Sequence, residues 1–173
     1  DPFISMVKGR FHLVHTEGFD NPTIFHWESA DLINWSGGPI DVVAESKKRA
    51  WAPEFFYSAD EDVFYVYWSS IHNRHNTIHY VKTKDWSDIT PGKSAVYYDI
   101  GIHDIDLTIV EYNGTYYGFH KPGGVDDLMG NRLSTSTSLD PAKDTFAKDG
   151  NDRAVFSDES KPTEGPEVIK LIG

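Results

Sequence analysis

The chain contains no cysteine and only two methionines among its 173 residues. Without cysteine it can form neither disulfides nor thiolate metal sites, although this absence does not decide the cellular compartment. Its apolar runs are also short. None approaches the roughly 20 residues that a membrane-spanning helix needs, so no membrane segment is predicted.

Basic residues are scarce as well, because 16 lysines and arginines stand against 27 aspartates and glutamates, which gives a net charge of −11. A protein that binds nucleic acid or anionic lipid needs a basic face, so neither partner is predicted. A neutral ligand such as a sugar fits this charge better. Most of the acidic side chains are expected to do no more than keep the surface soluble.

What the chain does have is a repeat rich in aromatic residues. In the first three copies a β-type segment runs into a polar turn and then into an aromatic strand, which is the signal of a hairpin. A third element begins at Thr23, Thr77 and Asn131, each 54 residues after the one before. The four segments that open the copies are 1–7, 52–58, 106–112 and 165–171.

A period of roughly 50 residues made only of short strands is typical of four-stranded propeller blades, which bury their faces by stacking on one another. The predicted fold is therefore all-β: a β-propeller of four-stranded antiparallel blades, of which residues 1–173 form a single domain with three blades and the first strand of a fourth. Propellers close with about four to eight blades. The domain is thus expected to be incomplete at its C-terminus, with the remaining blades in a missing segment or another chain.

Acidic residues stand at or beside the start of three of these opening segments: Asp1, Asp106 and Glu164. The first strand of every blade lines the propeller axis, so these side chains are expected to converge. Inverting glycoside hydrolysis needs one carboxylate to activate a water and one carboxylic acid to protonate the leaving oxygen, and a third carboxylate can raise the pKa of that acid. A single acidic residue at a strand start is usually a turn residue. The prediction of a glycosidase therefore depends on all three acids occupying the same place in the repeat.

The motifs resemble glycoside hydrolase family 43, the five-bladed propeller enzymes that act on arabinose- and xylose-containing polysaccharides. The resemblance covers most of the chain, and its motifs occur in the family's order and at blade spacing. It implies that the complete ring is five-bladed, of which this chain holds about three blades and a part. The segments that carry it are Asp1–Ile4, Ser29–Trp35, Trp51–Glu54, Ile105-Asp106 followed by Asn113–Tyr117, and Glu164–Pro166.

The resemblance implies that Asp1 is the general base, Asp106 the residue that modulates the pKa of the acid, and Glu164 the general acid, with inversion at the anomeric carbon. Asp104 is the alternative modulator, because strand alternation would place it on the same side as Asp106. Glu167 is the alternative acid. Glu164 is favoured because the family places its acid directly before Gly-Pro.

Four residues at strand ends are candidates for contacts with a sugar, which needs an aromatic surface and polar groups. Trp51 is the strongest, since it adjoins the start of an axial strand. The other three are Trp68, His120 and Lys121.

No metal-ligating set is predicted, because none of the eight histidines shows ligand spacing. His72, His75 and His79 are expected to lie in a loop, where a solvated or hydrogen-bonding role is favoured. No cofactor is expected to be required. The resemblance does imply a structural calcium ion on the propeller axis, held partly by a histidine of the last blade.

By the same resemblance the partner is an oligosaccharide or polysaccharide, and an exo-acting α-L-arabinofuranosidase or β-xylosidase is the favoured activity. An endo-arabinanase or galactan-cleaving activity is the alternative on the same scaffold. A non-catalytic carbohydrate-binding propeller and a retaining, fructan-acting relative also stay open. The expected location is extracellular or in the cell envelope.

Overall fold

The computed structural model describes residues 1–44, 49–123, 130–146, 153–155 and 163–169. In this part of the chain the structure is all-β, with twelve strands in three antiparallel four-stranded sheets and two short 3-10 helices. No helix among these residues is long and apolar enough to cross a membrane. Each sheet is one blade, as the repeat predicts.

The first blade joins its strands in simple order along the chain. Lys8 and Gly9 form a two-residue turn in which both residues have positive φ, 50° and 77°. Such a turn matches the twist of the two strands it connects. The strands are Pro2–Val7 (β1), Arg10–Thr16 (β2), Thr23–Ser29 (β3) and Trp35–Asp41 (β4).

The second blade repeats this order, and its central hairpin is longer than predicted. Asn73 and Arg74, with φ of 47° and 74°, form the turn that pairs His72 with His75. The prediction that the histidines at 72, 75 and 79 lie in a loop is therefore wrong. Because the turn has only two residues, β6 extends to His72 and β7 begins at His75, so all three histidines are in strands. The strands are Trp51–Ser58 (β5), Val63–His72 (β6), His75–Thr83 (β7) and Ala95–Tyr98 (β8).

The third blade has the same antiparallel pairing from its inner to its outer strand. Its strands are Asp104–Tyr112 (β9), Thr115–Pro122 (β10), Arg132–Ser136 (β11) and Arg153–Ala154 (β12). In its described residues the structure does not show the predicted first strand of a fourth blade. Residues 163–169 are not in a strand, since none of the described residues forms a ladder with them, and residues 170–171 lie outside the described part.

A bulge recurs at the start of the inner strands. Register breaks in β5 and β9 coincide with positive φ at Ala52 (43°) and Asp106 (58°), which hold the same position in the repeat. In each case a hydroxyl of the preceding blade accepts the bulged N–H: Thr16 Oγ1 from Ala52 at 3.0 Å and Ser69 Oγ from Asp106 at 3.2 Å. These hydrogen bonds tie neighbouring blades together at one rim.

The hydrophobic core lies between the blades. One cluster joins the first and second blades and includes Val14, Phe55 and Trp68, while a second joins the second and third blades and includes Tyr65 and Leu107. Burying a large aromatic or aliphatic side chain contributes about 1.5–3 kcal/mol. Stacking of the blades is therefore the main source of stability and holds the strand starts in place.

Candidate active site

A cavity of about 780 Å³ opens at the rim where the inner strands begin. It forms because the starts of β1, β5 and β9 and the loop that follows β2 all lie at the same end of the blades. The structure brings Asp1, Asp106 and Glu164 together here, with Trp51 beside them. The remaining lining residues are Thr16, Glu17, Gly18, Phe19, Ile105 and Gly165.

Asp106 is the most enclosed of the three acids. Its Oδ2 accepts a hydrogen bond from the N–H of Gly165 at 3.1 Å, which links the third blade to the segment that carries Glu164. Burial raises the pKa of Asp106, and the nearby Glu164 carboxylate raises it further. The Gly165 hydrogen bond and the Lys121 ammonium act in the opposite direction and lower that pKa.

The bulge separates Asp106 from its alternative, Asp104. The expectation that both side chains lie on one side is wrong, because Asp106 adopts a left-handed conformation and breaks the alternation of β9. Asp104 is fully buried, and its Oδ1 lies 2.8 Å from Nδ1 of His120. It does not line the cavity. Asp104 therefore lies beneath the cavity, next to His120 of β10.

Two of the predicted sugar contacts, His120 and Trp68, are buried instead. His120 has both ring nitrogens engaged, with Asp104 and, at 2.9 Å, with Ser134 Oγ. Trp68 is 1% exposed and belongs to the core between the first two blades. Both side chains point between blades rather than into the cavity, so the structure does not support a sugar contact for either.

Lys121 is also fully buried and does not line the cavity. It adjoins the site electrostatically, since its ammonium lowers the pKa of Asp106. Position 121 in the third blade corresponds to the positions of Thr16 and Ser69, whose hydroxyls hold the bulged N–H of the next blade. At this repeat position the third blade therefore carries a cation where the first two blades carry a hydroxyl.

The cavity rim carries an aromatic surface formed by the predicted Trp51 and by Phe19, which the sequence patterns did not reveal. Phe19 is 72% exposed, and its ring centroid lies 4.8 Å from that of Trp51. The indole N–H of Trp51 donates to the Phe19 carbonyl at 2.6 Å, and the Arg49 guanidinium lies 4.1 Å from the Trp51 ring centroid. We call Phe19, Trp51 and Arg49 the rim platform. Phe19 lies in the loop between β2 and β3, which the propeller repeat places at the same rim as the inner-strand starts, and this position could have identified it.

A smaller cavity of about 120 Å³ lies beside the main one and is lined by Asp1, Asp106, Glu54 and Glu167. Burial raises the pKa of Glu54 to about 8, even though hydrogen bonds from Thr108 and Tyr67 favour its ionised form. Glu167 lines this smaller cavity and Glu164 the larger one, so the two candidate acids occupy different places.

One cluster of potential metal ligands has no signal in the sequence spacing. Among the described residues His12, His26 and Glu28 bring potential ligand atoms within 4.8 Å of one another. Pairing of β2 with β3 creates this group, so no local spacing could reveal it. It lies on the second and third strands rather than on the axis, and the axial calcium implied by the resemblance stays a prediction.

Residues 5–173 match a family model described as "Probable glycosyl hydrolase domain", which is related to glycoside hydrolase family 43. The chain belongs to this family. The family-43-related chain is 26% identical over 181 residues to an α-L-arabinofuranosidase of Bifidobacterium longum subsp. longum. That alignment covers 84% of this chain and 16% of the relative.

Solved structures confirm that the fold is a partial propeller of the family-43 type. A thermostable family-43 glycoside hydrolase superposes with a TM-score of 0.59 and 22% identity, covering 79% of this chain and 46% of that structure. The endo-arabinase of Bacteroides thetaiotaomicron gives a TM-score of 0.61 and 17% identity, covering 79% and 49%. The chain thus spans just under half the length of these structures.

Proposed function

We propose that the protein is a glycoside hydrolase that cleaves arabinose- or xylose-containing oligosaccharides or polysaccharides. The observation that carries this proposal is the convergence of Asp1, Asp106 and Glu164 in one cavity. They come from the starts of two inner strands and from the segment after the third blade, far apart in sequence. Membership of the family-43-related glycosyl hydrolases supports the same reaction class.

In the proposed mechanism Asp1 accepts a proton from a water molecule as that water attacks the anomeric carbon. Glu164 donates its proton to the leaving glycosidic oxygen, so that the bond to the leaving group breaks as the new bond forms. Asp106 lies next to Glu164, close enough for the Glu164 carboxylate to raise the pKa of Asp106, and it is the residue proposed to assist that acid. Attack from the face opposite the leaving group inverts the configuration of the sugar.

The proposed substrates are α-L-arabinofuranosides or β-xylosides. Similarity to an α-L-arabinofuranosidase and to an endo-arabinase supports this substrate class. The rim platform offers the aromatic surface on which a sugar ring can pack. The loop between β2 and β3 also lines this cavity, and we expect loops at the rim to influence the choice between exo and endo cleavage.

The test is hydrolysis of aryl α-L-arabinofuranoside, aryl β-xyloside and linear arabinan, with the first-formed anomer followed by ¹H NMR. We expect turnover of at least one of these substrates, with the inverted anomer appearing first. Retention of configuration would contradict the roles given to Asp1 and Glu164. Saturable binding of arabino- or xylo-oligosaccharides without any turnover would instead identify a non-catalytic carbohydrate-binding propeller.

A further inference from the structure

A group of three potential ligands lies in the first blade, away from the candidate active site. His12 is in β2, and His26 and Glu28 are in β3. His12 Nδ1 lies 3.1 Å from His26 Nε2, and Glu28 Oε1 lies 3.7 Å from the first nitrogen and 4.0 Å from the second. Cross-strand pairing of His12 with Glu28 puts all three on one face of the sheet.

The surroundings hold these side chains in orientations that leave their ligand atoms facing one another. The ring of His26 stacks on Trp86 with a centroid distance of 3.7 Å and an interplanar angle of 8°. Arg10 Nε donates to Glu28 Oε2 at 3.1 Å, which leaves Oε1 turned toward the histidines. Outer partners that orient ligands in this way are typical of metal sites.

We propose that His12, His26 and Glu28 bind a divalent transition-metal ion of the zinc class. Two imidazoles and one carboxylate form a ligand set that Zn²⁺ commonly accepts. With Zn–N distances of about 2.0–2.1 Å, nitrogens 3.1 Å apart subtend an angle of roughly 100° at the metal, close to tetrahedral. The carboxylate oxygen reaches the same point after a small side-chain rotation.

The fourth coordination position faces an open cavity. A space of about 330 Å³ between the first and second blades is lined by His12 and Glu28 and leads to the surface. His12 and His26 are 6% and 5% exposed, so the metal would lie at the cavity floor with room for a water molecule. The cavity therefore supplies both an entry path and the remaining ligand.

Binding would cross-link β2 to β3 beside the junction with the second blade. The stacked Trp86 belongs to that blade, so the metal would stabilise a blade interface rather than take part in chemistry at the rim. A hydrogen bond between two imidazoles gives the same 3.1 Å separation, and it is the competing explanation that the experiment must exclude.

The experiment is isothermal titration of chelator-treated protein with ZnCl₂ at neutral pH, with MgCl₂ as the comparison ion. We expect saturable binding of one Zn²⁺ and no comparable binding of Mg²⁺, which prefers a shell of oxygen ligands. Glu28→Gln should weaken Zn²⁺ binding by at least about tenfold, and His26→Gln should weaken it further.

His75→Gln is the matched control, because His75 also pairs with a carboxylate, Asp99 at 2.8 Å, but has no third ligand in the described structure. It should leave the binding unchanged. Absence of saturable Zn²⁺ binding, or equal affinity in wild type, Glu28→Gln and His26→Gln, would show a hydrogen-bonded histidine pair only. If circular dichroism shows that His26→Gln does not fold, Glu28→Gln decides, since Glu28 is partly exposed at the surface.

Discussion

At the scale of single residues, the pKa of Asp106 is set by opposing neighbours. Burial and Glu164 raise this pKa, whereas Lys121 lowers it. Lys121 is fully buried, which is rare for a lysine, because burial of its charge must be compensated by partners. We interpret its position directly after His120 as a means of limiting the rise of the Asp106 pKa.

Replacing Lys121 by methionine tests this interpretation, because methionine keeps the length of the side chain and removes the charge. The pKa of Asp106 should rise, so the acidic limb of the kcat/KM profile should move to higher pH by about one unit. Lys93→Met, an exposed substitution of the same kind, should leave the profile in place. A shift of the acidic limb to lower pH, or none, would contradict the electrostatic role of Lys121.

The second residue-scale prediction concerns the contribution of the rim platform to substrate affinity. Phe19→Ala should raise KM by about two- to tenfold, the range expected for loss of one aromatic contact, with a smaller change in kcat. Tyr112→Ala is the control, since Tyr112 is also exposed but lies at the far end of β9. Steady-state kinetics that show equal KM values for Phe19→Ala and wild type would remove Phe19 from the substrate site.

At the scale of secondary-structure elements, the blade repeat was predictable and the bulges were not. The hairpins and third strands follow from alternation and turn residues, and the structure confirms them. Positive φ at Ala52 and Asp106 has no local signature, because these residues are not glycine. The choice between Asp104 and Asp106 therefore needed the three-dimensional register, in which hydroxyls of the preceding blade hold the bulged N–H groups.

Gly37 in strand β4 is predicted to be a position where a side chain lowers stability. A Cβ added at Gly37, where φ is 146°, would lie 2.1 Å from the carbonyl oxygen of His26. Gly37→Ala should therefore lower the free energy of unfolding by about 2–4 kcal/mol through strain and overlap. Gly38→Ala is the neighbouring control, because its Cβ would meet nothing within 4 Å, and it should change stability by about 0.5 kcal/mol or less. Urea denaturation of the two variants that gives equal losses would contradict this account of β4.

At the scale of the whole molecule, stacking of blades decides which side chains meet. Convergence of the three acids was predictable, since every blade starts at the same rim. The burial of Trp68 and His120 was not, because only the packed blades show which strand face is inward. The histidine and glutamate group arises from β2 and β3 pairing across 14 to 16 residues, which no short motif encodes. Completion of the ring by further blades stays a prediction.

The buried Glu54 links the site to the pH dependence of global stability. Its pKa is about 8 in the fold against 4.5 for the free side chain, so between these values the folded state binds more protons than the unfolded state. Stability should therefore decrease as pH rises through this range. Glu54→Gln should make that decrease smaller when unfolding free energies are measured at pH 5 and pH 8, whereas the exposed Glu17→Gln should not. Parallel pH profiles for Glu54→Gln and wild type would contradict the assignment.

The central claim is that the rim cavity carries out acid-assisted glycoside hydrolysis, and turnover by Glu164→Gln tests it most directly. Glutamine keeps the shape of the side chain but cannot donate the proton, so kcat on an arabinofuranoside or xyloside should fall by roughly 100-fold or more, while oligosaccharide affinity persists. Glu167→Gln, three residues away in the smaller cavity, should retain most of the activity. Unchanged turnover in Glu164→Gln, or a loss only in Glu167→Gln, would contradict the account.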